Sequence, residues 1–89
     1  MKQKNTVQAR AVKRMMLLEA DAQCFAEEAL MWEGVDNDLK STNSRVSYIC
    51  KMELLNVYEI ITGENVDVKD YDEVIKAYHM WVAYKALQA

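Results

Sequence analysis

The sequence contains no proline and only two glycines in 89 residues. Turns in all-β folds draw heavily on both residue types, so their scarcity argues against a chain of many short strands. The composition is 52% apolar and 28% charged, and it therefore also lacks the low hydrophobicity that is typical of disordered chains. These absences favour an all-helical protein.

Long apolar runs and cysteines are equally scarce. The run MMLL follows a basic start, but Glu19 and Asp21 interrupt it long before the length of a signal peptide or a membrane span. Cys24 and Cys50 have neither the spacing of a metal site nor a secretory context, which favours two buried thiols over a disulfide. The sequence therefore predicts a cytoplasmic chain.

Motifs that carry chemistry are missing as well. The chain has no glycine-rich phosphate loop, no CxxC, no HExxH and no nucleophile elbow. The segment DNDLKSTNSRVS begins like a calcium loop, but Lys40 occupies the fifth position and the sixth is not glycine. The single histidine, His79, falls on the flank of a predicted helix without a metal-ligating partner at suitable spacing. We expect no enzymatic activity, no metal and no cofactor.

Apolar residues in the first third of the chain repeat at alternating spacings of four and three, as on one face of a helix. Asn5 or Thr6 could cap its start and Gly34 could end it, which predicts a first helix over about residues 6–33. The predicted buried seam consists of Ala11, Met15, Leu18, Ala22, Phe25, Ala29 and Trp32.

A second helix is predicted over about residues 37–62, between the N-cap Asp36 and the C-terminal Gly63. The opening KSTNSR forms helix poorly, so a later start near Asn43 stays open. Its predicted buried face consists of Leu39, Val46, Ile49, Cys50, Leu54, Val57, Ile60 and Ile61.

A third helix is predicted over about residues 69–88, because Asp70 and Glu73 have the spacing of a capping box ahead of a periodic stretch. Its predicted buried face is Tyr71, Val74, Ile75, Tyr78, Trp81 and Val82. The sequence thus predicts a single all-α domain, residues 1–89, in which a long antiparallel hairpin and a third helix form a three-helix bundle.

Charge order supports antiparallel packing. The first helix begins with basic residues and ends with acidic ones, and the second helix repeats this order, which is unfavourable for the dipole of each helix alone. An antiparallel neighbour would lay basic starts beside acidic ends. The neighbour could be the other helix of the hairpin or a second copy of the chain, and the sequence does not choose between them.

Each predicted helix carries apolar residues outside its buried face. A chain this short has a small core that is often supplemented by an oligomer interface. The surplus apolar stripes therefore predict a homo-oligomer, with a dimer favoured, and binding of a protein partner. The predicted protein-binding residues are Met16, Ala20, Cys24, Met31, Tyr48, Met52, Leu55, Met80, Tyr84 and Leu87.

Two functions fit these features. The first is a small oligomeric interaction module that binds, blocks or scaffolds another protein, as accessory proteins or inhibitors of phages and mobile elements do. The alternative is a nucleic-acid or nucleotide binder that uses the basic N-terminal arm and stacks helix aromatics, Tyr or Trp, on a base, because residues 1–18 carry a net charge of +5 on a body of net charge −8. The residues predicted to contact a polyanion are Lys2, Lys4, Arg10, Lys13 and Arg14.

Overall fold

The computed structural model describes residues 2–88, with side chains for residues 9–83. Helix α1 spans Lys2–Met31, α2 spans Asn37–Thr62, a short 3₁₀ turn spans Val68–Asp70, and α3 spans Tyr71–Gln88. No strand occurs within residues 2–88, so the predicted all-helical class with three helices is confirmed.

Helices α1 and α2 form an antiparallel hairpin, about 45 and 39 Å long at the usual rise per residue. The carbonyl of Trp32 accepts the backbone N–H groups of Val35 and Asp36, and Gly34 takes a left-handed φ of 78° in this turn. The Asp36 carboxylate then accepts the N–H of Leu39 at 3.1 Å, so the N-cap that was predicted from the sequence is present.

The ends of α1 differ from the prediction. It begins at Lys2 and ends at Met31, whereas about 6–33 was predicted, so Asn5 and Thr6 lie inside the helix and do not cap it. Helix α2 keeps its predicted bounds, and the weak helix formers that follow Lys40 do not delay its start. Packing of α2 on α1 outweighs their low intrinsic propensity.

A return segment, residues 63–70, connects α2 to α3. Gly63 ends α2 in the left-handed conformation, with φ 75°, and donates its N–H to the carbonyl of Glu59 at 2.7 Å. A capping box then joins Asp67 and Asp70, one turn before the predicted box of Asp70 and Glu73. The reason is that a 3₁₀ turn precedes α3, and the capping box lies at the N-terminus of this turn and not at the N-terminus of α3.

Helix α3 runs in the same direction as α2 and antiparallel to α1. Near its start the Tyr71 ring receives the Lys51 Nζ at 5.0 Å from the ring centroid. Two to three turns later, Trp81 stacks on Tyr58 with 5.6 Å between the ring centroids and 2° between the planes. Since α3 follows α2 toward its C-terminus, it covers the half of the hairpin built from the start of α1 and the end of α2.

The core lies in that half. Tyr78 and Leu54 are fully buried at its centre, and aromatic side chains of α3 fill the space between the helices. The cluster consists of Met15, Leu18, Leu54, Leu55, Tyr58, Val74 and Tyr78. The predicted buried faces of α1 and α3 are therefore largely correct.

Small residues fill the interior at the other half of the hairpin, toward its turn. Ala22 and Ala29 of α1 are buried, and Ser47 of α2 is buried against them. The Ser47 hydroxyl donates to the carbonyl of Ala22 at 2.6 Å, so its burial leaves no polar group without a partner. Small side chains allow α1 and α2 to approach closely here without a third helix.

The buried face of α2 is turned relative to the prediction. Leu39, Ile49 and Ile60 are 39%, 48% and 83% exposed, although all three were predicted to be buried. Tyr58 is buried instead, and Leu55, predicted for an exposed binding stripe, is only 2% exposed and belongs to the core. The apolar pattern of α2 is wider than one packing face, and contact with α3 decides which edge of that pattern is covered.

The inverted charges pair within the chain. Arg14 of α1 lies 3.3 Å from Glu53 of α2, and Lys40 of α2 lies 3.3 Å from Glu33 at the end of α1. Each side chain is about half exposed, so each pair stabilises the fold by less than about 1 kcal/mol. The pairs are compatible with the antiparallel arrangement, which the short turn between Met31 and Asn37 already imposes.

Two neighbouring methionines test the division of α1 into a core face and an outer face. We expect Met15→Ala to lower the free energy of unfolding by about 2–5 kcal/mol, because Met15 is fully buried and truncation leaves a cavity. Met16→Ala is the matched control; Met16 is 49% exposed and its truncation should cost less than about 1 kcal/mol. Urea unfolding followed by circular dichroism measures both, and equal losses would contradict the assignment of faces.

Candidate functional site

The face of α1 that points away from the core is apolar at several positions. Met16 and Met31 are 49% and 69% exposed, and Ala20 and Cys24 between them are exposed as well. At about 100° of rotation per residue these four positions lie within a narrow arc, nearly opposite the buried seam. Four of the predicted protein-binding residues therefore share one continuous surface, which we call the α1 outer face.

Helix α2 has an exposed apolar face of its own. Ile49 and Ile60, which the sequence analysis assigned to the core, join the predicted residues Tyr48 and Met52 on this face. Their exposed fractions range from 36% for Met52 to 83% for Ile60. We call Tyr48, Ile49, Met52 and Ile60 the α2 outer face. The sequence shows that α2 has more apolar positions than one neighbouring helix can cover. It does not show which of these positions form the exposed face.

The remaining predicted binding residues divide differently. Met80 of α3 is 70% exposed, so the structure leaves it accessible. Tyr84 and Leu87 lie outside the described side chains. Leu55 is in the core, as described above, and does not belong to a binding surface.

An apolar groove of about 500 Å³ lies between the start of α1, the end of α2 and the second half of α3. Met16 of the α1 outer face lines it, together with Trp81 from the edge of the core. Lys13 and Thr62 are the polar residues of this mainly apolar lining. The groove is lined by Ala9, Val12, Lys13, Met16, Ile61, Thr62, Trp81 and Val82.

A polar cluster joins α1 to α3 at Glu19. The Tyr78 hydroxyl donates to Glu19 Oε1, and His79 Nε2 lies 2.7 Å from the same oxygen. The Tyr78 and His79 rings meet edge to face, with 4.6 Å between their centroids. Since Tyr78 is fully buried, its hydroxyl needs this acceptor. The cluster brings the His79 imidazole into contact with the Glu19 carboxylate. Both contacts of Glu19 join α3 to α1.

The tyrosines around this cluster resist ionisation. Burial, the hydrogen bond to Glu19 and the negative charge of Glu19 raise the pKa of Tyr78 above its ordinary value. Burial, followed by the charges of Glu19 and Asp72, raises the pKa of Tyr71 to about 12. Both phenols therefore stay neutral at physiological pH, where they serve as packing groups and hydrogen-bond donors.

The two cysteines are free thiols in different surroundings. Cys24 is exposed on the α1 outer face, so the prediction that both thiols are buried is wrong for this residue, and Cys50 is partly buried against the core. Burial, with the nearby carboxylates of Asp21 and Glu53, raises the pKa of the Cys50 thiol. Cys24 is therefore the thiol that a partner surface or a labelling reagent can reach.

The basic residues do not form a separate arm, because α1 begins at Lys2 and includes all of them. Arg10 and Lys13 are exposed, while Arg14 is paired with Glu53. Lys2 and Lys4 lie outside the described side chains. The structure shows no additional feature, such as an exposed aromatic among these bases in residues 9–18, that would favour nucleic acid.

The described residues lack a metal-binding cluster and a helix suited to cross a membrane. Among them, no group of three or more histidine, cysteine, aspartate or glutamate side chains is arranged to hold a metal ion. No helix in the part of the chain that the structure describes combines the length and the apolarity needed to cross a membrane.

Comparison with known proteins adds no assignment. The chain matches no model of a known protein family, no curated protein and no solved structure.

The buried phenols predict a specific response to alkaline pH. The pKa of each phenol is raised in the folded state, so as the pH rises tyrosine ionises first in the unfolded chain. The contribution of the phenols to stability is therefore fully present below pH 10, the ordinary pKa of tyrosine, and is lost as the pH rises above it. Tyr78→Phe removes one such phenol together with its hydrogen bond.

We expect Tyr78→Phe to be about 1 kcal/mol less stable than the unmodified protein at pH 7 and to lose less stability between pH 10 and 12. Urea unfolding at a series of pH values measures the difference. Tyr48→Phe is the control, since this ring is 52% exposed. The same alkaline loss in the unmodified protein and in Tyr78→Phe would contradict the proposed ionisation.

Proposed function

We propose that the protein is a small oligomeric interaction module that binds another protein through the α2 outer face. In this proposal the protein binds its target without catalysing a reaction. It acts as a cytoplasmic accessory protein or inhibitor that blocks or scaffolds the target, of the kind that phages and mobile elements use. The single observation that supports this function best is the exposure of four large apolar side chains on one face of α2.

Scattered exposed apolar residues are ordinary on small proteins and alone would carry no function. The α2 outer face differs because Ile49, Met52 and Ile60 follow one another along a single side of a helix whose opposite side already packs in the core. Burying such side chains against a partner is worth roughly 1.5–3 kcal/mol for each one fully covered. An apolar stripe of this kind supports an interaction surface, although the exposed Asn56 interrupts it between Met52 and Ile60.

The geometry of this ridge fits an amphipathic helix of the partner. Residues 45, 49, 52, 56 and 60 follow one another at intervals of four, three, four and four, which forms a straight ridge about 23 Å long. Arg45 is exposed at its beginning and Glu53 beside its middle. Glu53 is already paired with Arg14, so Arg45 is the charge that a partner can complement. A partner helix with apolar residues along one face and an acidic residue near Arg45 is complementary to the ridge.

The test uses a charge on the ridge. We expect Ile49→Glu/Ile60→Glu to stay helical and monodisperse, because both side chains are exposed, and to lose binding to a protein captured by the unmodified chain. The dissociation constant for the purified pair should rise by at least about 30-fold, as for the loss of an interface hot spot of about 2 kcal/mol. Isothermal titration calorimetry of the purified pair measures it.

Asn65→Glu is the control, since Asn65 is an exposed residue of the return segment and its substitution adds one negative charge outside the ridge, against two on the ridge. This variant should bind like the unmodified chain. Equal binding by the ridge variant and by the control would contradict the assignment of the α2 outer face.

A further inference from the structure

The α1 outer face lies within a longer stripe of seven residues of α1 that is symmetric about Ala20. Lys13 and Glu27 each lie seven residues from Ala20, and Met16 and Cys24 each lie four residues from it. Ala9 and Met31 complete the series at eleven residues on either side. All seven positions are exposed, and at about 100° per residue they fall within an arc of about 80°. The stripe therefore has the same spacing whether it is followed toward the N-terminus or toward the C-terminus.

We propose that the α1 outer face is the site of self-association, and that two copies of α1 pack antiparallel with the two-fold axis at Ala20. This dimer makes the self-association within the proposed function specific. It rests on the proposed function only because both treat the exposed apolar faces as interaction surfaces. A two-fold contact requires one surface to be complementary to itself. The pairs of residues that this axis brings together meet that requirement.

The central pairs are small or apolar. Ala20 faces Ala20 of the second copy at the axis, where its small side chain lets the two helices approach closely. Met16 faces Cys24 on both sides of the axis, which joins two polarizable sulfur-containing side chains of moderate size. The repeat of eleven residues corresponds to 3.67 residues per turn, so the stripe stays nearly straight along an ordinary helix.

Charge selects the antiparallel orientation. In the proposed register Lys13 of each copy faces Glu27 of the other, which gives two opposite-charge pairs. A parallel pair of helices would place Lys13 beside Lys13 and Glu27 beside Glu27, and both contacts would be repulsive. Exposed pairs contribute little affinity, so they determine orientation while the apolar pairs supply the attraction.

In the proposed dimer, Met31 of the second copy would occupy the apolar groove between α1, α2 and α3. Ala9, Lys13 and Met16 belong both to the stripe and to the lining of the groove. The proposed register brings Met31 of the second copy beside Ala9, at the mouth of this groove. Met31 is 69% exposed in the single chain and has a flexible apolar side chain suited to an irregular gap. Self-association would thus cover two apolar features of each copy at the same time.

A charge swap tests the register. Lys13→Glu places two glutamates together in the dimer and Glu27→Lys places two lysines together, so each single variant should weaken the dimer by at least about 10-fold at low salt. The double variant Lys13→Glu/Glu27→Lys restores opposite charges and should bring the dissociation constant within about three-fold of the unmodified value. Sedimentation equilibrium measures these constants, and circular dichroism checks that the helices are intact.

A disulfide gives an independent readout. In the variant Met16→Cys/Cys50→Ser, mild oxidation should link residue 16 of one copy to Cys24 of the other, as identified by mass spectrometry of the linked peptides. The control Asp21→Cys/Cys24→Ser/Cys50→Ser has its thiol at an exposed position off the stripe and should crosslink poorly. Links of residue 16 to residue 16 would overturn the antiparallel register.

A monomer at all concentrations up to about 0.5 mM, or a double variant as weak as the single ones, would overturn the proposal. These experiments use the chain alone, and the partner-binding test concerns α2. Failure of the dimer prediction can therefore be distinguished from failure of the partner-binding prediction.

Discussion

Burial of Tyr78 between α1 and α2 is the contact on which the arrangement of the three helices depends. Its ring is fully enclosed, so its hydroxyl cannot reach water and must be satisfied inside the protein. Glu19 supplies the acceptor and also contacts His79, the next residue of α3. One carboxylate of α1 thus contacts two successive residues of α3, and the Tyr58–Trp81 stack joins α3 to α2.

The position of α3 determines what the rest of the molecule exposes. Helix α3 spans 18 residues, whereas α1 spans 30 and α2 spans 26. It therefore covers one half of the hairpin and leaves the outer faces of both long helices accessible. Close packing through Ala22, Ala29 and Ser47 closes the other half without a third helix. The exposed apolar surfaces follow from this geometry, and they are the basis for proposing an interaction module.

Sequence reasoning predicted most of the fold because the local signals were strong. The seam of α1 repeats at helical spacing, and Asp36 and Gly63 mark the ends of α2 in the expected way. The buried face of α3 also followed from its pattern, since Tyr78 and Val74 are buried as predicted. Each of these features depends on residues close together in the chain.

The errors concern choices that only tertiary contacts make. Ile49 and Ile60 have the composition of core residues, and no local signal shows that α3 covers the edge of α2 carrying Leu55 and Tyr58. The contact of Glu19 with His79 joins residues far apart in sequence, so spacing could not reveal it. The symmetry of the α1 outer face was present in the sequence, but it became meaningful only when the structure showed that all of its members are exposed.

The central claim is that the outer faces of the hairpin are interaction surfaces and that the α1 outer face meets a second copy. Small-angle X-ray scattering over a concentration series tests it most directly. The account predicts a mass approaching twice 10.3 kDa and, because the two copies lie side by side, a longest dimension only modestly above the 52 Å of one chain. A mass of 10.3 kDa with a radius of gyration near 15 Å at every concentration would contradict it.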